Sequence, residues 1–379
     1  MKNNGGEGLY KFLWHLLRKP FEWIFAFKHD SDREDVPTLI ISNHVTNYDP
    51  ILVAFSFPGR RFHFVASEHL FRMGFISKVL NYLFQPIARR KGVSGGDTAM
   101  AILRKLKEGK TVGLFAEGET TWDGKTGSVV SATGRMAKMS GCRLVTYRLE
   151  GGYFTAPRWG KGIRRGRMYG RIVGVYSPQE LKAMTKEQVQ AVIERDIYED
   201  AHARQLENPV AYGKRRRAER LESLLFQCPS CRKFGKLTSR GNYLHCSCGE
   251  KWEYTAFGTF EPAAPFENVA QWDAWQQESL GAEQLPRFRE KGATLYQLDT
   301  EHGQQLLGKG DLVLKEDVLS CAGHDFAMAE ISTMALVTAR RVLFTVGNSY
   351  YEAVMDEACC LRKYLLRWQK LSRVTEPSV

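Results

Sequence analysis

No stretch of this 379-residue chain offers eighteen uninterrupted apolar residues, so a conventional membrane-spanning helix is not expected. A secretory pattern is missing too. The first apolar stretch is broken by Lys11, His15, Arg18, Lys19 and Pro20, and no small-residue cleavage site follows. Nor is there a disulfide framework: of eight cysteines, four crowd between Cys228 and Cys248, and the others are Cys142, Cys321, Cys359 and Cys360. A disulfide-built secreted protein would spread paired cysteines through a shorter chain, so this usage points to a reducing compartment. Internal repeats and low-complexity tracts are absent. With 43% apolar residues, global disorder is excluded as well.

What is present fits a multidomain globular protein, about two to three times the usual domain length. Lys and Arg number 54 against 42 Asp and Glu, a formal net charge of +12. Positions 1–220 hold 37 basic and 22 acidic residues, a net of +15; the remaining 159 hold 17 and 20, a net of −3. An anionic partner is therefore expected at the N-terminal part. Nucleic-acid readers concentrate positive charge on the reading module, so the split argues against a nucleic-acid role for the cysteine-rich region. The neighbouring run GKRRRAER at 213–220 reads as a solvated helix face or a linker.

Residues 9–27 read LYKFLWHLLRKPFEWIFAF. Leu9, Phe12, Leu13, Leu16 and Leu17 recur at spacings of three and four, one apolar stripe of a helix, while Lys11, His15, Arg18 and Lys19 take much of the other face. Pro20 fits a break or a fresh start. Trp14 and Trp23 carry rings suited to a headgroup boundary. Two readings stand open: a helix packed on its own domain, or one lying in a membrane interface.

Further on, strand patterns at 39–41, 61–66, 86–90, 111–119, 144–152 and 167–176 alternate with helical ones near Asp49-Pro50, at 69–83 and at 98–108. Strands alternating with helices imply an α/β layered fold. A polar, helix-prone stretch covers 185–207. Residues 259–290 look like a connector with Trp272 and Trp275 for docking. Short β-type runs fill 293–356, and a helix from about 357 to 371 with Leu361, Leu365, Leu366 and Trp368 on its apolar side ends the chain.

The richest constellation is Asn43-His44-Val45-Thr46-Asn47-Tyr48-Asp49-Pro50. A histidine at a strand end with a carboxylate five residues later can form a base–orienter pair, the imidazole taking a proton through one nitrogen while the carboxylate bonds the other. Spacing five is not one helix face, so the loop must bend. Phe115-Ala116-Glu117-Gly118 presents a carboxylate and then a glycine at another strand end, a common way to line a cleft. Between them, Ile87-Ala88-Arg89-Arg90 delivers arginines to the same edge, and their fork suits phosphate oxygens. Taken alone, a His and an Asp this close read as ordinary loop hydrogen-bonders. The order of the three blocks is the signal.

In these blocks the chain resembles the glycerolipid acyltransferases of the lysophosphatidate acyltransferase (PlsC-like) family. That family carries Asn-His-x4-Asp, an Arg-bearing second block, Phe-Pro-Glu-Gly-Thr-Arg-Ser and a later Val-Pro block. The resemblance covers roughly residues 35–205. It implies His44 as general base on an acceptor hydroxyl, Asp49 as its orienter, and direct attack on an acyl thioester with no acyl-enzyme. Arg89, Glu117 and Gly118 become substrate-binding, toward a glycerol phosphate. No catalytic cofactor is implied; the co-substrate is acyl-CoA or acyl-ACP, and the partner a membrane lipid, with no nucleic acid.

Three departures bear on the acceptor. Ala116 replaces the usual proline, Glu119-Thr120-Thr121 stands where Thr-Arg-Ser is common, and Val145-Thr146-Tyr147 lacks its proline. The reaction, O-acyl transfer to a lysophospholipid hydroxyl, is thus better specified than its acceptor. Lysophosphatidate giving phosphatidate is the first expectation, another lysophospholipid or a glycolipid the second. Arg158, Lys161, Arg164, Arg165 and Arg167 are candidates for compensating charge toward a headgroup, acyl carrier protein or coenzyme A, or form a solvated basic loop. The altered third block also raises a non-catalytic lipid-binding or scaffold role.

Cys228-Pro229-Ser230-Cys231 and Cys246-Ser247-Cys248 lie fourteen residues apart. Two such pairs on turns hold structural Zn²⁺ tetrahedrally, and four protein ligands leave no open position for catalysis. The second pair has one intervening residue where two are usual, so His245 is an alternative ligand. With the hairpin-like GKLTSRGNYLHC between, the segment resembles a zinc ribbon. The C-terminal part loosely resembles a pleckstrin-homology-like barrel, a generic α+β module being the alternative. Cys359 and Cys360 read as buried small apolar groups. The expected organisation is an amphipathic interface helix at 1–28, a layered αβ acyltransferase-type domain at 29–210, linker and ribbon at 211–258, and a mostly β domain at 259–379. The expected location is peripheral, on the cytoplasmic face of a membrane.

Overall fold

The computed structural model describes residues 5–67, 84–89, 95–213, 215–262, 265–281, 287–298 and 303–375. The helix expected at 69–83 and Arg90 of the second block lie outside the described residues. Contacts divide the chain into two units, Met1–Lys214 and Arg215–Val379.

The first unit opens with helix α1 (Gly5–Ile24) and strand β1 (Phe27–His29). Pro20 sits inside α1 instead of ending it. Leu16, whose carbonyl loses its i+4 donor there, is exposed together with Pro20, so the loss falls on the side away from the core. The strands β2 (Thr38–Ser42), β3 (Phe62–Ser67), β4 (Ile87–Arg89), β5 (Thr111–Phe115), β6 (Arg143–Glu150) and β7 (Met168–Tyr176) follow. They form one sheet in the order β1-β7-β6-β2-β5-β3-β4. From β6 through β4 all neighbours are parallel; β7 runs antiparallel to β6, and β1 parallel to β7.

Helices cover the sheet on both faces: α2 (Asp49–Phe55), α3 (Gly95–Lys107), α4 (Thr133–Ser140) and α5 (Lys186–Ile197) among them. That is why β2 reads as an uninterrupted run, with all five residues buried. The period of two assigns its side chains. Ile40 joins a core with Val53, Phe55, Phe64 and Tyr147, while Leu39 and Ile41 join another with Ile102, Leu106 and Ile193.

The first core also receives Tyr10, Trp14 and Phe25 from the N-terminal segment, with Phe21 packed beside them. Trp14 donates Nε1–H to the Ala54 carbonyl at 3.0 Å. The stripe read from the sequence is therefore not the face that packs inward. Leu9, Phe12, Leu16 and Leu17 are exposed, and Trp14 is a core residue and not a boundary ring.

Register places the site. Ser42 at the end of β2 lies opposite Phe115 at the end of β5 and opposite Tyr147 of β6. Ser67 of β3 lies opposite Arg89. The chain thus leaves β2, β5 and β4 on one carboxyl edge of the sheet, where open α/β sheets bind ligands.

In the second unit, β8 (Leu237–Arg240), β9 (Tyr243–Cys246), β10 (Lys251–Tyr254) and β11 (Phe260–Glu261) form a four-stranded antiparallel sheet in the order β11-β10-β9-β8. The stretch expected as a connector contains a helix, α6 (Val269–Ser279), that is part of the core. Trp272 is buried against Trp252 and Phe260 and donates to the Gln227 carbonyl at 2.9 Å. Gln276, also buried, accepts from the Phe226 N–H at 2.8 Å and donates to the Leu224 carbonyl at 2.9 Å.

The chain then runs through β12 (Phe288–Leu298), β13 (Gln304–Lys315), β14 (Val318–Cys321), β15 (His324–Ala327), β16 (Ile331–Thr338), β17 (Arg341–Val346) and β18 (Ser349–Met355) to helix α7 (Arg362–Thr375). These seven strands form an antiparallel sheet in the order β15-β14-β13-β12-β18-β17-β16. The closing helix starts later than its pattern suggests because the Cys359 N–H is bonded to the distant Ala339 carbonyl and the Leu361 N–H to the Cys359 carbonyl in a tight turn. Alongside its apolar residues α7 buries Arg362, Lys363 and Arg367, paired with Asp273, Glu290 and Asp317. Asp273 belongs to α6, so that helix is bonded both to the ribbon and to α7.

Candidate active site and cysteine cluster

Asn43 follows β2 and keeps the loop attached to the sheet. Its side-chain amide donates to the Leu149 carbonyl at 2.9 Å and accepts from the Leu149 N–H at 2.7 Å. The backbone is then free to turn, and Asp49 at the start of α2 reaches back under it. One carboxylate oxygen of Asp49 accepts from Val45 N–H (2.6 Å), Thr46 N–H (2.9 Å) and His44 Nδ1 (2.8 Å); the other accepts from Thr46 Oγ1 at 2.6 Å. This is the bend that the five-residue spacing requires.

Asp49 is fully buried, while the His44 side chain is 20% exposed. A carboxylate that already accepts from three other donors leaves Nδ1 the donor role, so the lone pair of the neutral ring lies on Nε2. The ring stacks on Phe115 with centroids 4.3 Å apart. The outcome is an oriented imidazole with its basic nitrogen away from the carboxylate.

The third block holds the same loop from the other side. Glu117 Oε1 accepts from the His44 N–H at 2.6 Å and Oε2 from the Gly127 N–H at 2.6 Å. Thr121 N–H donates to the His44 carbonyl at 2.9 Å. Both peptide groups of His44 are thus fixed by residues of the block after β5. Burial pushes the Glu117 carboxyl up to about 8; the two N–H donors pull the other way and nearby Asp49 adds to the rise. The resemblance implies a substrate contact at Glu117. Both of its oxygens are engaged by backbone N–H groups, one of them that of His44.

Gly118 adopts φ +79°, and a Cβ there would lie 3.0 Å from Arg89 Nη1. The positive φ of this turn is what calls for glycine, and the guanidinium packs over it. Arg89 forms no ion pair or hydrogen bond among the described residues. His44, Asp49, Arg89, Glu117 and Gly118 therefore share one end of the sheet, where the Arg89 guanidinium lies over Gly118 with no ion-pair partner among the described residues.

Of the five further cations, Arg158 reaches the altered third block. Its Nη1 donates to Glu119 Oε2 at 2.7 Å and to the Thr120 carbonyl at 3.1 Å, and its guanidinium lies 4.1 Å from the Trp122 ring centroid. Arg164 is buried over Trp159. Lys161, Arg165 and Arg167 are exposed. Sequence reasoning missed Thr46, Gly127, Thr121 and the stacking role of Phe115, because three of these act by bonding backbone or a buried carboxylate, which leaves no residue-type signature.

The cysteine cluster is a second centre. All eight cysteines are free thiols. The sulfurs of Cys228, Cys231, Cys246 and Cys248 lie within 4.8 Å of one another, with Cys228–Cys248 at 3.8 Å and Cys231–Cys246 at 3.7 Å. His245 is not part of the group. The shortened second knuckle closes because Gly249 takes φ +104°, letting Cys246 N–H bond the Glu250 carbonyl at 2.9 Å. Four thiols so arranged can hold a metal ion.

Residues 26–150 match the family model described as Acyltransferase. No curated protein sequence matches the chain. Among solved structures, the chain is similar to the 1-acyl-sn-glycerophosphate (LPA) acyltransferase PlsC from Thermotoga maritima. That similarity has 18% identity and a TM-score of 0.43 over 55% of this chain and 84% of the other.

Proposed function

We propose that the acyltransferase domain at residues 26–150 moves a fatty acyl group from an acyl thioester to the hydroxyl of a lysophospholipid, 1-acyl-glycerol-3-phosphate in first place. The observation that carries this reading is the His44–Asp49 pair, with Nδ1 held at 2.8 Å and Nε2 left for substrate. Nε2 takes the hydroxyl proton as the oxygen attacks the thioester carbonyl carbon. The carbon–sulfur bond then breaks, and the leaving thiolate recovers the proton from the imidazolium. Asp49 keeps the ring in place and stabilises its charged form. The Arg89 guanidinium, which has no ion-pair partner among the described residues, supplies a fork for the acceptor's phosphate, with Arg158 beside the block that lacks its arginine.

Zinc suits the cysteine cluster. A tetrahedral ion with bonds of about 2.3 Å needs sulfurs about 3.8 Å apart; Cys228–Cys248 and Cys231–Cys246 stand at 3.8 and 3.7 Å, and all four sulfurs lie within 4.8 Å of one another. Bound there, it would be held by Cys228, Cys231, Cys246 and Cys248 and would stabilise the ribbon. The donor, acyl-CoA or acyl-ACP, and a peripheral position at the cytoplasmic face of a membrane complete the proposal. The exposed apolar residues of α1 support the latter, and no described helix is long and apolar enough to cross a membrane.

The test is acyl transfer by purified protein with a panel of lysolipids and both donors, followed by lipid mass spectrometry. His44→Ala and Asp49→Asn are each expected to slow product formation by about 10²–10⁴ while leaving the thermal transition and the metal content intact. Wild-type turnover by His44→Ala would overturn the mechanism. Lipid binding without turnover of any acceptor would favour the scaffold reading.

A further inference from the structure

The segment 158–167 joins two places. At its start, Arg158 is bonded to Glu119 and Thr120 of the third block. Near its end, the Arg165 guanidinium lies 5.0 Å from the ring centroid of Trp23, on α1. Trp23 is 66% and Phe12 62% exposed, and Ile163 of the segment is exposed beside the cations. At the same end of the helix, Phe25 meets the ring of Tyr48 at 5.0 Å, and Tyr48 is an exposed neighbour of Asp49. The outward face of α1, the basic segment and the rim of the candidate site are thus continuous.

Charge decides what this face fits. Lys161, Arg165 and Arg167 are exposed and have no acidic partner among the described residues. The acidic Glu22 of α1 is already occupied by Arg18, Lys19 and His29. Apolar side chains bordered by uncompensated cations match a bilayer surface that carries anionic headgroups. An acidic carrier protein would answer the charge but not the exposed Trp23, Phe12 and Ile163.

We infer that Lys161, Arg165 and Arg167 form a headgroup-binding strap, which makes the protein's docking selective for anionic phospholipid and sets the site's mouth against the lipid surface. This rests on the membrane association proposed above and adds to it a lipid class and a second element. The experiment is co-sedimentation of the full-length protein with phosphatidylcholine vesicles, with and without phosphatidylglycerol. The variants are Lys161→Glu/Arg165→Glu/Arg167→Glu and its milder counterpart with glutamine at the same positions.

The wild type is expected to prefer anionic vesicles. Each neutralised charge should cost about fivefold in partitioning, so the glutamine variant loses on the order of a hundredfold, and the glutamate variant loses more. Binding to pure phosphatidylcholine should stay unchanged, and high salt should erase the difference between wild type and variants. If the wild type binds neither kind of vesicle, membrane association itself falls and the strap with it. If the wild type binds and both variants bind anionic vesicles equally well, the strap alone is wrong, even if the variants then show a raised KM for acyl carrier protein.

Discussion

At the scale of single residues, the chemistry is concentrated in groups that hold other groups. Glu117 is an instance with a measurable signature. Its carboxyl, raised by burial from 4.5 to about 8, keeps a proton in the folded protein over a pH range where the unfolded chain has released it. Between those values the folded state binds more protons, so this contribution to stability is fully present below about pH 4.5 and is lost as pH rises through about 8. Glu117→Gln should remove that part of the pH dependence. It should also lower stability by about 1 kcal/mol at acid pH, because one of the two N–H donors loses its acceptor. Thermal melts of both proteins from pH 5 to 9 decide it; parallel curves would show that Glu117 is not the titrating group. The pair His44 and Asp49 was legible because order and spacing survive in the sequence. The atoms that hold them were not, since a backbone N–H is the same whichever residue bears it.

At the scale of elements, α1 shows where periodicity stops being informative. The helix carries two apolar sets: Leu9, Phe12, Leu16 and Leu17 outward, and Tyr10, Trp14 and Phe21 inward, joined by Phe25 just after it. Spacing identifies which residues share a face but not which face is covered. Here the aromatic set wins the core because it meets Phe55, Phe84 and the Ala54 carbonyl. Truncating the helix would therefore open the core, and point changes separate the roles. Trp14→Ala should destabilise the protein by roughly 3–5 kcal/mol in a denaturant titration. Phe12→Ser with Leu16→Ser should leave that titration within about 0.5 kcal/mol and weaken sedimentation with anionic vesicles. If the serine pair binds vesicles as the wild type does, the outward face is not a membrane surface. The strand order, by contrast, was readable as a class but not as a register, because pairing partners distant in sequence leave no local pattern.

At the scale of the molecule, the two units carry different dependencies. In the second, α6 ties the ribbon to the closing helix through Trp272, Gln276 and Asp273. Its sequence, poor in strong apolar periodicity, reads as a connector. The structure makes it a joint because its polar side chains find buried partners. Metal loss should accordingly be felt beyond the ribbon. Adding a strong chelator should lower the melting temperature of the second unit as a whole, including the C-terminal sheet. The proposed acyl transfer, tested with a soluble donor and dispersed lysolipid, should persist, since the acyltransferase match lies within the first unit. Metal analysis of protein purified without chelator should find one zinc per chain. A C-terminal sheet that melts at the same temperature with and without chelator would show that the joint does not transmit the loss.

The Asn43 amide has a consequence of its own. It stands in for a peptide unit, so Leu149 keeps a full pair of bonds after the backbone of β2 has departed. In isotope-exchange experiments the Leu149 amide should therefore behave like the middle of a strand and not like its frayed end, opening only with the unit as a whole. In Asn43→Ala it should join the fast class. The clock of a single backbone proton would then record whether the His44 loop is still moored to the sheet.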